Sequence, residues 1–229
     1  MMKIKEIRQL LARKASTMIL GGFRPPEEPL TSWFGRVRVA RADEAWPIHN
    51  EKPMLPLCQL NCGELPFVPD SLSDIAFISV FITQDDLPVD TPNGVGWQLR
   101  AYPGLDGLIE IPEPRIEGGI KRFPLRWEMI ESDYPSLEDV IIELPANVKE
   151  NYDERFANQH RSKVGGWPSL IQSEIFWAPM NEHPANPEYV FQIDSEEKAR
   201  WAWGDGGTGY FGRGTGEAKD QWTLEWQCY

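Results

Sequence analysis

Ile75-Ala76-Phe77-Ile78-Ser79-Val80-Phe81-Ile82 is apolar but for one serine and rich in β-branched and aromatic side chains. That length and composition predict a strand buried on both faces rather than a short helix. Further strands are expected around it. Trp222, Leu224, Trp226 and Cys228 alternate with Thr223, Glu225 and Gln227. This is a period-two strand with one wet face. Tyr189-Val190-Phe191, Val140-Ile141-Ile142, Leu108-Ile109 and Leu125-Arg126-Trp127 read as shorter strand pieces.

Helical signals are fewer. Residues 3–20 predict an amphipathic helix, with Ile4, Ile7, Leu10 and Leu11 on one face and Gly21-Gly22 ending it. Without Trp or Phe to anchor it in a lipid surface, it is expected to pack on the domain. Asn147–Asn158 suggests a short charged helix. The chain has 20 prolines in 229 residues, which interrupt helices and central strands and predict short elements with long ordered loops. Ten tryptophans supply large buried surfaces to a core made from such short pieces.

Two segments echo each other. Ser32-Trp33-Phe34-Gly35 precedes Pro56-Leu57-Cys58-Gln59-Leu60-Asn61, and Ser162-Lys163-Val164-Gly165 precedes Tyr189-Val190-Phe191-Gln192-Ile193-Asp194. Ser to Gln spans 27 residues in the first and 30 in the second. The echo predicts one domain over residues 1–229 with two related parts, about 30–100 and 159–229, joined by a connecting region at about 101–158. Gln59 and Gln192 are expected to bond neighbouring backbone, or else to line a pocket between the halves.

With Ala45-Trp46-Pro47 and Glu64-Leu65-Pro66 added to the first segment, the chain resembles the YwqG-like family. Gly166-Trp167-Pro168, Gln172, Trp203-Gly204-Asp205-Gly206-Gly207-Thr208-Gly209-Tyr210-Phe211 and Leu224-Glu225-Trp226-Gln227-Cys228 carry the rest of the likeness. Gly35-Arg36 departs from it, standing where the family tends to have a Gly-Gly-x-Pro turn. The resemblance implies an α+β fold with internal duplication: a mainly antiparallel or mixed sheet, short flanking helices and long ordered loops. It implies no agreed activity. Related domains in bacterial toxin–immunity settings suggest inhibitor binding.

Catalytic signals are sparse. His49, His160 and His183 lie at no metal-ligand spacing, and Cys58 and Cys62 supply two ligands where a closed zinc site needs four. No metal or cofactor is expected. Cys58 reads as a core thiol. Gly204-Asp205-Gly206-Gly207-Thr208-Gly209 offers amides for an anion nest but lacks the Lys and helix of a phosphate loop. A turn with positive φ is the plainer reading. No serine sits in a nucleophile elbow. His160-Arg161-Ser162-Lys163 reads as a solvated loop. Candidate ligand- or partner-binding residues are Gln59, Gln192, Asp194, Trp203, Asp205, Gly206, Gly207 and Tyr210.

The formal charge is -12. Residues 1–50 carry nine Lys/Arg and five Asp/Glu, for +4, and the remainder fourteen and thirty, for -16. Such a surface repels phosphate, disfavours nucleic acid and attracts basic partners. Three unframed cysteines, no signal peptide and no membrane-length apolar run predict a cytoplasmic location. The expected role is non-enzymatic binding of a protein partner, most concretely neutralisation of a basic toxin domain. The alternative is an enzyme or small-ligand binder with its pocket between the halves.

Overall fold

The computed structural model describes residues 3–175 and 183–229. The first half of the chain holds α1 (Ile4–Leu11), β1 (Arg13–Leu20), β2 (Trp33–Phe34), β3 (Val39–Arg41), β4 (Ile48–His49), β5 (Lys52–Pro53), β6 (Leu55–Asn61), β7 (Phe77–Ile82), β8 (Trp97–Tyr102) and β9 (Leu108–Glu110). The rest holds β10 (Phe123–Asp133), α2 (Ala146–Lys149), α3 (Tyr152–Arg155), β11 (Lys163–Gly165), β12 (Glu188–Asp194), β13 (Thr208–Arg213) and β14 (Trp222–Gln227). Ten strands form one sheet in the order β14-β13-β12-β11-β1-β10-β2-β6-β7-β8. Each neighbouring pair is antiparallel.

β7 is the strand its composition predicts, buried along its whole length. Ile78, Val80 and Ile82 face the main core, which also takes Leu57, Leu60, Phe191, Phe211 and Leu224. Phe77 packs on the other face with Val39 and Tyr102, and Phe81 with Val37 and Met54. The loops and small strands between residues 37 and 54 therefore cover the outside of the sheet there. The sheet curls into a nearly closed, barrel-like form. Trp97 of β8 meets Phe211 of β13 edge-on at 6.2 Å across the interior. The edge strands β8 and β14 do not pair; side-chain bonds from β13 and β14 to the loops before β7 and β8 tie the two ends of the sheet instead. Arg213 forms two hydrogen bonds to Asp74, of 2.6 and 3.0 Å, and the Trp226 indole donates to the Pro88 carbonyl at 2.8 Å.

The expected α+β class is corrected. The described residues are 34% strand and 14% helical, and mostly one antiparallel sheet. Nor is an internal duplication shown: both echo segments lie within a single continuous sheet. Much of the misreading comes from residues 3–20. Their helix stops at Leu11, and residues 13–20 form β1, a strand flanked by β10 and β11. Ala15, Ser16, Thr17 and Met18 are all buried, so tertiary pairing overrides the helical spacing of the apolar residues. Ile7 and Leu11 of α1 pack with Val148, Tyr152 and Phe156 in a separate helical cluster.

Smaller expectations change too. The charged helix near 147–158 is two single turns, α2 and α3. Val140-Ile141-Ile142 is not a strand; Ile141 is 95% exposed after a 3-10 turn at Leu137–Asp139. β14 has no wet face, because the Gln227 side chain accepts hydrogen bonds from the Ile171 and Gln172 amides and holds that loop over it. The region expected to connect the halves supplies β10 in mid-sheet.

Candidate functional site

The two glutamines hold loops onto the outer face of the sheet. Cys58 and Leu60 point inwards, so Gln59 points outwards. Its amide group donates to the Pro29 and Thr31 carbonyls at 2.9 and 2.5 Å, and its carbonyl accepts from the Arg38 amide at 2.7 Å. Gln192 donates to the Arg161 carbonyl at 2.9 Å and to Asp194 at 3.1 Å, and accepts from the Ser169 amide at 2.9 Å. The Ser32 and Ser162 hydroxyls each accept a strand amide, from Asn61 and Asp194, at 2.9 Å. Both glutamines are fully buried and hydrogen-bonded at both ends of the amide. They sit five strand steps apart in the sheet, about 24 Å along it. They do not share a pocket.

Gln192, Asp194 and Tyr210 come together. The Thr208 hydroxyl donates to Asp194 at 2.8 Å, and the Tyr210 hydroxyl donates to the Ser169 carbonyl at 2.7 Å. Burial raises the Asp194 pKa above the usual carboxylate value, against the lowering effect of Thr208 and Gln192. Beside them lies a buried ion pair that local sequence does not reveal. Lys163, expected in a solvated loop, is fully buried and donates to Asp133 at 2.8 Å, the Gln159 carbonyl at 2.8 Å and Ser169 at 3.2 Å. Asp133 also accepts from the Gln159 and Trp167 amides at 2.9 and 2.8 Å. A Cβ on Gly166, at φ 71°, would strike the Asp133 carboxylate. The Gly165-Gly166 turn is thus required by the ion pair it wraps. Every ammonium proton of Lys163 has a protein acceptor, which marks a structural network rather than a reactive amine.

Trp203, Asp205, Gly206 and Gly207 lie in a separate loop closed on itself. The Gly207 amide donates to the Trp203 carbonyl at 2.8 Å, and the Ser195 amide and hydroxyl donate to the Gly207 carbonyl at 2.9 and 2.8 Å. Gly204 and Gly206 have the positive φ expected of them, 56° and 67°. Trp203 is a core residue, edge-on to Trp201 at 5.0 Å. Asp205 and Gly206 are exposed at the loop tip. Burial pushes the Cys58 thiol far up, as suits a core residue. Among the described residues no group of three or more His, Cys, Asp or Glu is placed to hold a metal, and no helix is long and apolar enough to cross a membrane.

Open grooves and an ordered loop also mark the surface of the described residues. A groove of about 450 Å³ lies between Leu55, Ile116, Ile120, Arg122 and Phe123. Another, of about 430 Å³, follows the seam between Leu99 of β8 and Trp222 of β14. The loop of residues 83–96 was not anticipated as a site. Its Thr91 carbonyl accepts from the Trp97 indole at 3.0 Å, and Asn93 makes two bonds to the Leu99 backbone, of 2.8 and 2.9 Å. Gly96 donates to His49 at 3.3 Å, tying the loop to the β4–β5 hairpin. Thus anchored, it presents Val89 and Val95, 65% and 44% exposed, and Ile48 of the tied hairpin is 67% exposed. Asp86 and Asp90 are exposed in the same loop. The sequence signal was two valines within the turn-rich run Pro88-Val89-Asp90-Thr91-Pro92-Asn93-Gly94-Val95.

No curated protein matches the chain. A family model does match, over residues 34–213, a span running from β2 to the end of β13. The chain belongs to the family described as a domain of unknown function (DUF1963).

Proposed function

We propose that this chain is a non-enzymatic binding domain that engages a basic protein through the end formed by loop 83–96 and the β4–β5 hairpin. The observation that carries the reading is the anchored loop that holds Val89 and Val95 in solvent beside Asp86 and Asp90. Exposed apolar side chains grouped among acids suit a partner with complementary charge. A loop already held by hydrogen bonds loses little conformational freedom on binding. Lys52, the cation of the hairpin, is neutralised by Asp85. The resemblance to YwqG-like proteins makes a bacterial toxin with a basic active surface the first partner to test, with this chain covering that surface.

The test is co-expression with a toxin encoded beside the gene, followed by calorimetry on the purified pair. Rescue of growth and a complex that Val89→Glu with Val95→Glu abolishes are the expected results. Both side chains are exposed, so the double variant should melt like the parent. Failure of rescue together with no detectable complex would sink the proposal.

A second reading, small-ligand binding, is favoured by the seam groove, whose walls come from distant parts of the chain: Asp74 and Leu99 on one side, Arg213 and Trp222 on the other. Ligand-induced stabilisation that Leu99→Trp removes would support it. A blank screen of nucleotides, sugars and metals would count against it.

A further inference from the structure

The two ends of the sheet leave backbone groups unpaired at the seam. The Thr83 amide donates to the Gly96 carbonyl at 2.8 Å, so Gln98, Arg100 and Tyr102, the alternate residues of β8, turn their backbone to β7. Trp97, Leu99 and Ala101 turn theirs away. Loop 83–96 covers two of these three. The Gly94 amide donates to the Trp97 carbonyl at 2.8 Å, and Asn93 bonds both the amide and the carbonyl of Leu99. Among the described residues nothing pairs with the amide or carbonyl of Ala101, which is only half-buried.

β14 is bare in the same way. The Gly214 amide donates to the Gln221 carbonyl at 2.8 Å, so Thr223, Glu225 and Gln227 turn their backbone to β13, and Trp222 turns its own to the seam. There too the amide and carbonyl have no partner among the described residues. Ala101 and Trp222 both line the groove of about 430 Å³. A strand residue within a sheet fills about 160 Å³, from a rise of about 3.3 Å, a strand spacing of about 4.8 Å and a sheet spacing of about 10 Å, so about three residues fit. The inner wall is apolar: Leu99 and Trp222 belong to the main core, and Ile75 and Ala101 pack on it. At the mouth, Arg213 and Lys219 balance Asp74 and Asp220.

We propose that the seam is a strand-addition site, in which an extended peptide segment of about three residues lies between β8 and β14. Its backbone bonds Ala101 on one side and Trp222 on the other. Its central side chain is small and apolar and points to Ile75 and Leu99. Because the charges at the mouth cancel, the segment is uncharged. The proposal rests on the second reading above only for the groove, and it names peptide backbone as the ligand.

The test is nitrogen–proton correlation NMR of the full chain, titrated with acetyl-Ala-Val-Ala-amide. The controls are the same peptide N-methylated on its amides and isobutanol, which carries the valine side chain alone. Saturable shifts of the Ala101 and Trp222 amides are expected, with their hydrogen exchange slowed at least about tenfold at saturation. Ala101→Pro removes a donor to which β7 makes no bond, and should weaken binding at least about fivefold. The N-methylated peptide probes the same bonds on the unaltered chain, so the result does not depend on that variant folding; it should bind at least about fivefold more weakly. No saturable shift at Ala101 and Trp222, equal binding of the N-methylated peptide or isobutanol, or undiminished binding by folded Ala101→Pro would each overturn the proposal. Shifts at these amides with a sugar or nucleotide, and none with the peptide, would keep the small-ligand reading and overturn this one. Protection of both amides that grows with protein concentration in the absence of peptide would make the occupant a second copy of the chain, and would overturn it as well.

Discussion

Replacing Lys163 with Met would leave the Asp133 carboxylate buried without its cation. The expected loss is about 3–5 kcal/mol in urea unfolding, partly recovered by adding Asp133→Asn. A different carboxylate governs the acid side. Burial, then Glu174 and Glu138, raise Asp139 to about 6, against the pull of Arg13. The folded state therefore holds this proton more tightly than the unfolded chain, whose Asp titrates near about 3.9. The contribution of Asp139 to stability is greatest below that value and falls away as pH rises to about 6. Asp139→Asn should raise stability at pH 7 by about 1 kcal/mol after allowance for solvent screening, and should flatten the melting temperature between pH 4 and 6. Gln59 and Gln192 were legible as loop-holding residues because each follows a Ser-x-x-Gly segment and sits between apolar neighbours, 27 and 30 residues after the serine. Lys163 was not, because the acid that buries it lies thirty residues earlier, in Glu131-Ser132-Asp133-Tyr134, which has the look of a surface turn.

At the scale of elements, β1 is where local pattern and tertiary pairing conflict. Ser16 sits there as a bridge: its hydroxyl donates to the Phe67 carbonyl at 2.7 Å and accepts the Phe67 amide at 2.9 Å. In a helix, Ser16→Ala would raise stability through propensity. In this strand it should lower stability by about 1 kcal/mol, since it removes the partner of two part-buried Phe67 backbone groups. The sign of the change in melting temperature separates the two. β7, β12 and β14 were readable because each carries its apolar signal within one short run. The placement of β10 beside β1 was not readable, because strand order depends on contacts between distant segments. The candidate residues fared likewise: Gln192, Asp194 and Tyr210 meet because β12 and β13 pair, whereas Gln59 lies on the far side of the central strands.

For the whole molecule, charge and closure set the behaviour. Residues 51–229 carry a net charge of -16, so mutual repulsion works against the compact state at low salt. Raising salt from 0.02 to about 0.3 M should lift the melting temperature by about 2–4 °C, while slowing association with a basic partner. The uneven charge was visible in the sequence; the end that displays it was not, because loop 83–96 meets the β4–β5 hairpin only in the folded chain. The position of β1 has one more consequence, for synthesis. Ala15 pairs with Ile130 on one side and Gly165 on the other. A chain leaving the ribosome N-terminus first exports its middle strand long before either neighbour exists. The sheet cannot grow outwards from β1 during translation, and the strand must stay unpaired until most of the protein has emerged. Assembly is therefore late and governed by distant contacts, and a chain cut short before residue 123 would release β1 with both edges bare.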